Sequence, residues 1–307
     1  MNDAVARAVQ VLRAGGVVAI PTETVYGLAA DVENADAIAR VYAIKGRPAD
    51  HPLIVHAHDV DALDGFVADL TPRLRTLAAA FWPGPLTAIV ARGPRTPRTV
   101  TGGQDTVAVR VPEHPVARAI LAAFGGALAA PSANRFGRIS PTTAEHVRAD
   151  LGDEVDLAVD GGPARVGIES TIVDLTAEVP AVLRAGAITP AQLGTALGTP
   201  VVTRAGGAVR APGTLRSHYA PRARLVLVED AAGGRLLDEE TQRRAASGER
   251  VAALTLPDDP AAAARTLYAA LRALDGDGYD TIVAALPPDT EANAAVRDRL
   301  IRAAAPR

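Results

Sequence analysis

The tightest constraint on this chain is a recurring handover, in which a short apolar run stops at proline and is followed at once by hydroxyls or an amide. Val17-Val18-Ala19-Ile20 gives way to Pro21-Thr22-Glu23-Thr24-Val25-Tyr26-Gly27, and Ala127-Leu128-Ala129-Ala130 to Pro131-Ser132-Ala133-Asn134. An apolar run bounded by Gly15-Gly16 and Pro21 reads as a buried strand, and in open α/β sheets ligands gather where strands end. Further runs at 52–56, 86–91, 106–111, 155–159, 167–175 and 181–184 follow at irregular intervals. They do not alternate strictly with helices, which predicts a mixed sheet rather than a doubly wound parallel one.

Helices fall between these runs. Asn34 caps one whose Ile38, Val41 and Tyr42 share a face, and Thr71 with Pro72 opens another over 72–81. The spacing also predicts a helix over 59–67. Trp82, in Trp82-Pro83-Gly84-Pro85, reads as a core anchor rather than a platform for a base. Beyond residue 221 the pattern becomes regular. Strands at 225–228, 251–256 and 279–284 alternate with helices at 235–247, 260–274 and 291–304, a small unit with a parallel sheet. Its loops lack a Gly-rich phosphate fingerprint, so it reads as an accessory domain. The expected division is therefore 1–203 for the catalytic domain, 204–221 for a Gly/Pro-punctuated linker and 222–307 for the accessory domain. Arg216, His218 and Tyr219 are unusual content for a spacer, and they predict that the linker folds back as a lid.

Composition narrows the chemistry. The 307 residues contain no cysteine, which removes disulfides, thiolate metal sites and a thiol nucleophile. A formal net charge of -3 gives no global case for nucleic-acid binding. No apolar run approaches the ~20 residues of a membrane span, and the first residues resemble no signal peptide, so the expected place is the cytoplasm. All but one of the 32 Lys and Arg residues are arginine. The exception is Lys45, in Lys45-Gly46-Arg47-Pro48, where a compact ammonium could follow a moving phosphate charge, or could merely be a leftover on a solvated loop.

Along 106–111 the alternation puts Val107, Val109 and Val111 on one face and Thr106, Ala108 and Arg110 on the other. Arg110 then either faces a ligand or pairs with a buried carboxylate. The motifs of P-loops, nucleophile elbows and zincins are absent, and His56 with His58 makes a poor metal site, so no protein metal ligand is expected. What is left is a set of strand ends carrying Thr24, His56, Arg110, Ser132, Asn134, Ser170 and Arg184 near a Lys-x-Arg segment. Hydroxyls, amides and fixed cations without a protein nucleophile suit phosphoryl or nucleotidyl transfer, where positioning and charge stabilisation lower the barrier.

These residues resemble a known family. The run from Pro21 to Leu28, Lys45-Gly46-Arg47-Pro48, Pro52-Leu53-Ile54-Val55-His56, Trp82-Pro83-Gly84-Pro85-Leu86-Thr87, Ser132-Ala133-Asn134 and Glu169-Ser170-Thr171-Ile172-Val173-Asp174 look like those of the threonylcarbamoyl-AMP synthases. His218-Tyr219 and the trailing α/β unit resemble that family's longer, two-domain form. The resemblance implies a YrdC-like mixed twisted sheet with surrounding helices, plus a small C-terminal Rossmann-like parallel domain. It implies ATP, L-threonine and bicarbonate as substrates, L-threonylcarbamoyladenylate and pyrophosphate as products, and Mg2+ carried on the ATP. The product would pass to the machinery that threonylcarbamoylates the tRNA adenosine beside the anticodon, with at most a weak direct tRNA contact and no membrane.

By the same resemblance Lys45 and Arg47 are the catalytic pair, and Thr24, His56, Arg110, Ser132 and Ser170 hold threonine. Lys45, Arg47, His51, Thr106, Asn134, Ser140, Thr142, Arg184 and Tyr219 hold the nucleotide. The sequence departs from the family at His51, where asparagine is frequent, and in Thr214-Leu215-Arg216-Ser217 of the linker. Two other classes compete with this reading. An RNA-binding module of the same fold is disfavoured by the charge and by 3% aromatics. An enzyme that makes carbamoyl-adenylate from carbamoyl phosphate would carry acyl-phosphatase and zinc-finger segments, which are missing here.

Overall fold

The computed structural model describes residues 2–204, 206, 209–229 and 235–306. The chain divides into two compact units, Met1–Phe136 with Pro141–Thr214, and Gly137–Ser140 with Leu215–Arg307.

In the first unit the apolar runs form β1 (Val18–Ile20), β2 (Gly27–Asp31), β3 (Ile54–His56), β4 (Leu86–Ala91), β5 (Thr106–Arg110), β6 (Leu128–Ala129), β7 (Leu157–Ala158), β8 (Thr171–Asp174), β9 (Ala181–Arg184) and β10 (Val202–Thr203). Among the described residues they join in the order β10-β9-β8-β4-β5-β3-β6-β2-β1-β7. The sheet is mixed: β3 runs parallel to β5, β4 to β8, β9 to β10 and β1 to β7, and the remaining pairs are antiparallel.

Side-chain alternation sorts each strand between two cores. Val17 and Ala19 pack with Leu28, Ile38, Val41, Val55, Val107 and Val109. Val18 and Ile20 pack on the opposite face with Leu12, Ile120 and Leu121. The helices supplying those faces are α1 (Asn2–Arg13), α2 (Ala35–Lys45), α3 (Pro72–Phe81), α4 (Pro115–Phe124), α5 (Ala144–Leu151) and α6 (Pro190–Leu197). Two are bounded as their sequences predict. Asn34 accepts the Ala37 amide at 3.0 Å to start α2, and Gly46, at φ +60°, stops it immediately after Lys45. Thr71 accepts the Leu74 amide in front of Pro72. Trp82 packs against the first core and donates its indole N–H to the Leu86 carbonyl at 2.7 Å.

Two expectations fail locally. The predicted helix over 59–67 is a single 3-10 turn, Asp61–Leu63. Gly65 sits at φ +75°, and its carbonyl accepts the Arg95 amide at 2.9 Å. A Cβ on Gly93 would stand 2.3 Å from that carbonyl, so the backbones approach too closely for a helix to continue. The run predicted over 167–175 is a strand only from Thr171, which leaves Ser170 in the loop before it.

The second unit contains β11 (Arg224–Val228), α7 (Arg235–Ala246), β12 (Val251–Leu254), α8 (Pro260–Gly276), β13 (Thr281–Ala285) and α9 (Ala294–Ala304). Its three strands are parallel, in the order β11-β13-β12. Residues 137–140 belong to this unit. Arg272 of α8 donates to the carbonyls of Ile139 and Ser140, and the Ala220 amide donates to Gly137 O at 2.9 Å. Tyr219 takes φ +63°, stacks on Tyr268 at 5.8 Å and lies 5.1 Å from the Arg299 guanidinium carbon. Among the described residues no helix is long and apolar enough to cross a membrane.

Candidate active site

One face of the central strands has an apolar floor of Ile54, Ile89, Ala108 and Ile172, covered by Ala211. Alternation from that floor places His56, Thr87, Thr106 and Arg110 on the same face, and Ser170, in the loop before β8, joins them through Thr87. His56 stands opposite Arg110 in the β3–β5 register.

Arg184 joins them through an irregularity. The β8–β9 register shifts between Ile172 and Val173, so Ile172 faces Arg184 while Val173 faces Val182. That bulge turns Arg184 onto the floor's face. There it donates to Ser170 O through Nε at 3.1 Å and through Nη2 at 2.9 Å, to Ser170 Oγ at 3.1 Å and to Pro212 O at 3.0 Å. Ser170 Oγ also bonds Thr87 Oγ1 at 2.7 Å.

Arg110 meets a carboxylate from 87 residues away: Nη2 donates to Glu23 Oε1 at 2.6 Å, with both side chains almost wholly buried. Its Nε donates to Gly84 O at 3.2 Å, and Glu23 Oε2 accepts the Glu113 amide at 3.0 Å. Burial alone would raise the Glu23 carboxyl, but the charge and hydrogen bond of Arg110 outweigh it and hold its pKa below 4.5. Burial, then Arg110, pushes His56 down to about 3. The imidazole is therefore neutral, and since a carbonyl can only accept, Nδ1–H donates to Ile54 O at 3.1 Å and Nε2 is left as an acceptor.

Thr24 has a fixed polarity of its own. Thr22 Oγ1 donates to Val25 O at 2.5 Å, so in the 2.9 Å contact between the two hydroxyls Thr24 must donate and Thr22 accept. Thr24 is then left with lone pairs, although its side chain is buried as the structure stands.

A second cluster gathers by the start of β3. Lys45, the last residue of α2, is buried, and its Nζ donates to Ser132 O at 2.5 Å and Asn134 O at 2.6 Å. The solvated-loop reading of Lys45 is thereby excluded. Burial, then Arg47, pushes its pKa well below 10.5, with Asp150 and Glu169 pulling weakly the other way. Arg47 donates to His51 O at 3.2 Å and Pro52 O at 2.8 Å, and lies 5.3 Å from the Phe136 ring, on which His51 packs edge-on. Ser132 bridges to Gly27, and the buried Asn134 donates to Arg135 O at 2.7 Å. The buried Thr142 holds His146 Nδ1 at 3.3 Å.

Thr106, at the start of β5, lies on the Arg110 face about 13 Å from it, four residues at ~3.3 Å each. Nine of the sequence-predicted residues of the first unit fall into two groups, with Thr24, Thr106 and Thr142 in neither. Arg110, His56, Ser170 and Arg184 form a row across one end of the face. Lys45, Arg47, His51, Ser132 and Asn134 gather by the start of β3. Ser140 and Tyr219 belong to the second unit. Glu23 is the residue that sequence reasoning left without a role, and a carboxylate inside an otherwise uncharged, largely apolar run was the available signal.

A Sua5/YciO/YrdC family model described as "Telomere recombination" matches residues 10–186, and one described as "Threonylcarbamoyl-AMP synthase, C-terminal domain" matches 188–305. Threonylcarbamoyl-AMP synthase of Bacillus subtilis (strain 168) is 39% identical over 98% of this chain and 92% of its own length. The protein of that name from Pyrococcus abyssi is 36% identical over 95% and 91%. A crystal structure of P. abyssi Sua5 complexed with L-threonine superposes with a TM-score of 0.93 at 35% identity, covering 98% of this chain and 94% of that one. The chain belongs to the Sua5/YciO/YrdC family, in the form that carries the threonylcarbamoyl-AMP synthase C-terminal domain.

Proposed function

We propose that this chain is an L-threonylcarbamoyladenylate synthase, a nucleotidyltransferase that uses L-threonine, bicarbonate or CO2, and ATP. The threonine ammonium bonds CO2 as a carbamate and gives up two protons to solvent (from bicarbonate, one proton and a water); a carbamate oxygen then attacks the α-phosphorus, whose bond to the bridging oxygen breaks to release pyrophosphate. The substrates supply both nucleophile and leaving group, so the protein's task is to bind, orient and neutralise charge. The observation that carries this reading is the pair of clusters. A paired arginine with neutral acceptors suits an amino acid, and Lys45 with Arg47 suits phosphates.

In this reading Arg110 meets the threonine carboxylate with Thr24, His56 and Ser170, and Ser132, on the Lys45 side, closes the amino-acid set from there. Lys45 lies on the phosphates, while Arg47, His51, Thr106, Asn134 and Thr142 hold the nucleotide together with Arg184, which reaches it from the Arg110 row. The proposed nucleotide contacts of Ser140 and Tyr219 rest on the resemblance alone. Of the linker expected to act as a lid, 205, 207 and 208 lie outside the described residues and 215–221 belong to the second unit; residues 209–214 would cover the site and exclude water from the labile intermediates.

Magnesium would enter on the triphosphate. There phosphate oxygens and water would hold it. The product would pass in the cytoplasm to the tRNA-modifying machinery. Pyrophosphate release measured with ATP and bicarbonate, with and without L-threonine, tests the reading. It should require threonine, and release independent of any amino acid would contradict it.

A further inference from the structure

Arg110 and Glu23 do more than brace each other. These bonds commit Nε of Arg110 to Gly84 O and Nη2 to Glu23, and they commit both Glu23 oxygens. Nη1 is the guanidinium nitrogen that takes no part in these bonds. A buried guanidinium without a countercharge would draw in any small anion, because burial raises the strength of every uncompensated charge. At the pair itself the sum is zero: Arg110 is positive, Glu23 negative, and His56, opposite Arg110 on β3, neutral, while the charge of Arg184 stands at the other end of the row, donating to Ser170 O and Pro212 O.

We infer that Glu23 sets the charge selectivity of the amino-acid end, cancelling Arg110 so that a zwitterion is accepted and a simple carboxylate is refused. A carboxylate entering this neutral set leaves an uncompensated negative charge in a desolvated place. The same carboxylate carrying an α-ammonium does not. Molecules without the nitrogen that must react are thus turned away at binding. Glu23 is a specificity-determining and positioning residue, and the inference rests on the reading of Arg110 as the carboxylate's partner.

The probe is 3-hydroxybutyrate, which is threonine without its nitrogen. In threonine-dependent pyrophosphate release, Glu23→Gln should become about tenfold more sensitive to this anion, competitively with threonine and not with ATP. Glu23→Asp, which keeps the charge, should refuse the anion as the unsubstituted protein does, even where its threonine KM rises. If Glu23→Gln turns over too slowly, calorimetric titration with 3-hydroxybutyrate reads the same gain. If it does not fold, the test falls on Glu23→Asp, and tenfold tighter anion binding there would overturn the inference. Equal affinity of Glu23→Gln and the unsubstituted protein for the anion would also overturn it. Arg110→Ala separates the two readings: an unchanged threonine KM in that variant refutes the Arg110 assignment, whereas a raised KM with an anion-insensitive Glu23→Gln refutes this inference alone.

Discussion

Lys45 shows how much can hang on one side chain. Two carbonyls converge on its Nζ at 2.5 and 2.6 Å, a gap sized for a compact ammonium and too narrow for a planar fork. Lys45→Arg should therefore lose roughly a hundredfold in turnover, the usual scale for one contact to developing charge. Near-normal turnover would return the lysine to a structural role. His56 carries a pH dependence whose sign is fixed. Above pH 6.5 it is neutral folded and unfolded and costs nothing; below that the unfolded chain takes a proton that the folded chain refuses until about pH 3. Between pH 7 and 5 this removes about 2 kcal/mol, at ~1.4 per unit. Glu23 adds a loss of the same sign as pH falls below 4.5. Urea unfolding of the His56→Gln variant should show a smaller loss between pH 7 and 5, and an unchanged loss would mean the imidazole is not buried neutral. The face of Arg110 was legible from alternation, and so was the oddity of a lone lysine. Its partner was not, because a pair 87 residues apart leaves no local pattern and depends on a loop reaching across a sheet.

At the scale of elements, termini were readable where a cap states them, as at Asn34, Gly46 and Thr71. The failures came where backbone approaches backbone. The helix expected over 59–67 is cut by Gly65 and the strand of backbone around Gly93. The register shift in β9 is equally silent in sequence, yet without it Arg184 would point into the opposite core. The linker is likewise less passive than its glycines and prolines suggest. The Arg210 amide donates to Gln104 Oε1 at 2.7 Å, Gln104 returns a bond to Arg210 O at 3.1 Å, and Ala211 lies on the apolar floor. This strap, tied to Arg184 through Pro212, should be held further when the site is filled. ATP with L-threonine is expected to slow tryptic cleavage at Arg210 and Arg216 several-fold, and equal rates with and without them would remove the lid.

For the whole molecule, the irregular spacing of strands announced a mixed sheet, and the regular tail a parallel one. The strand order was hidden, since β4 lies between β5 and β8 through contacts that local periodicity does not encode. The two family matches, 10–186 and 188–305, span both sheets, so the activity is a property to be measured on the full chain. The central claim is that one sheet face holds the amino acid at its Arg110 end and the nucleotide toward Lys45 and Arg47. Steady-state pyrophosphate release by Arg110→Ala, with threonine and ATP varied in turn, tests it most directly. The account predicts that the threonine KM rises about a hundredfold, the ~3 kcal/mol of a lost charge-assisted contact, while the ATP KM moves less than about threefold. Equal rises in both would contradict it.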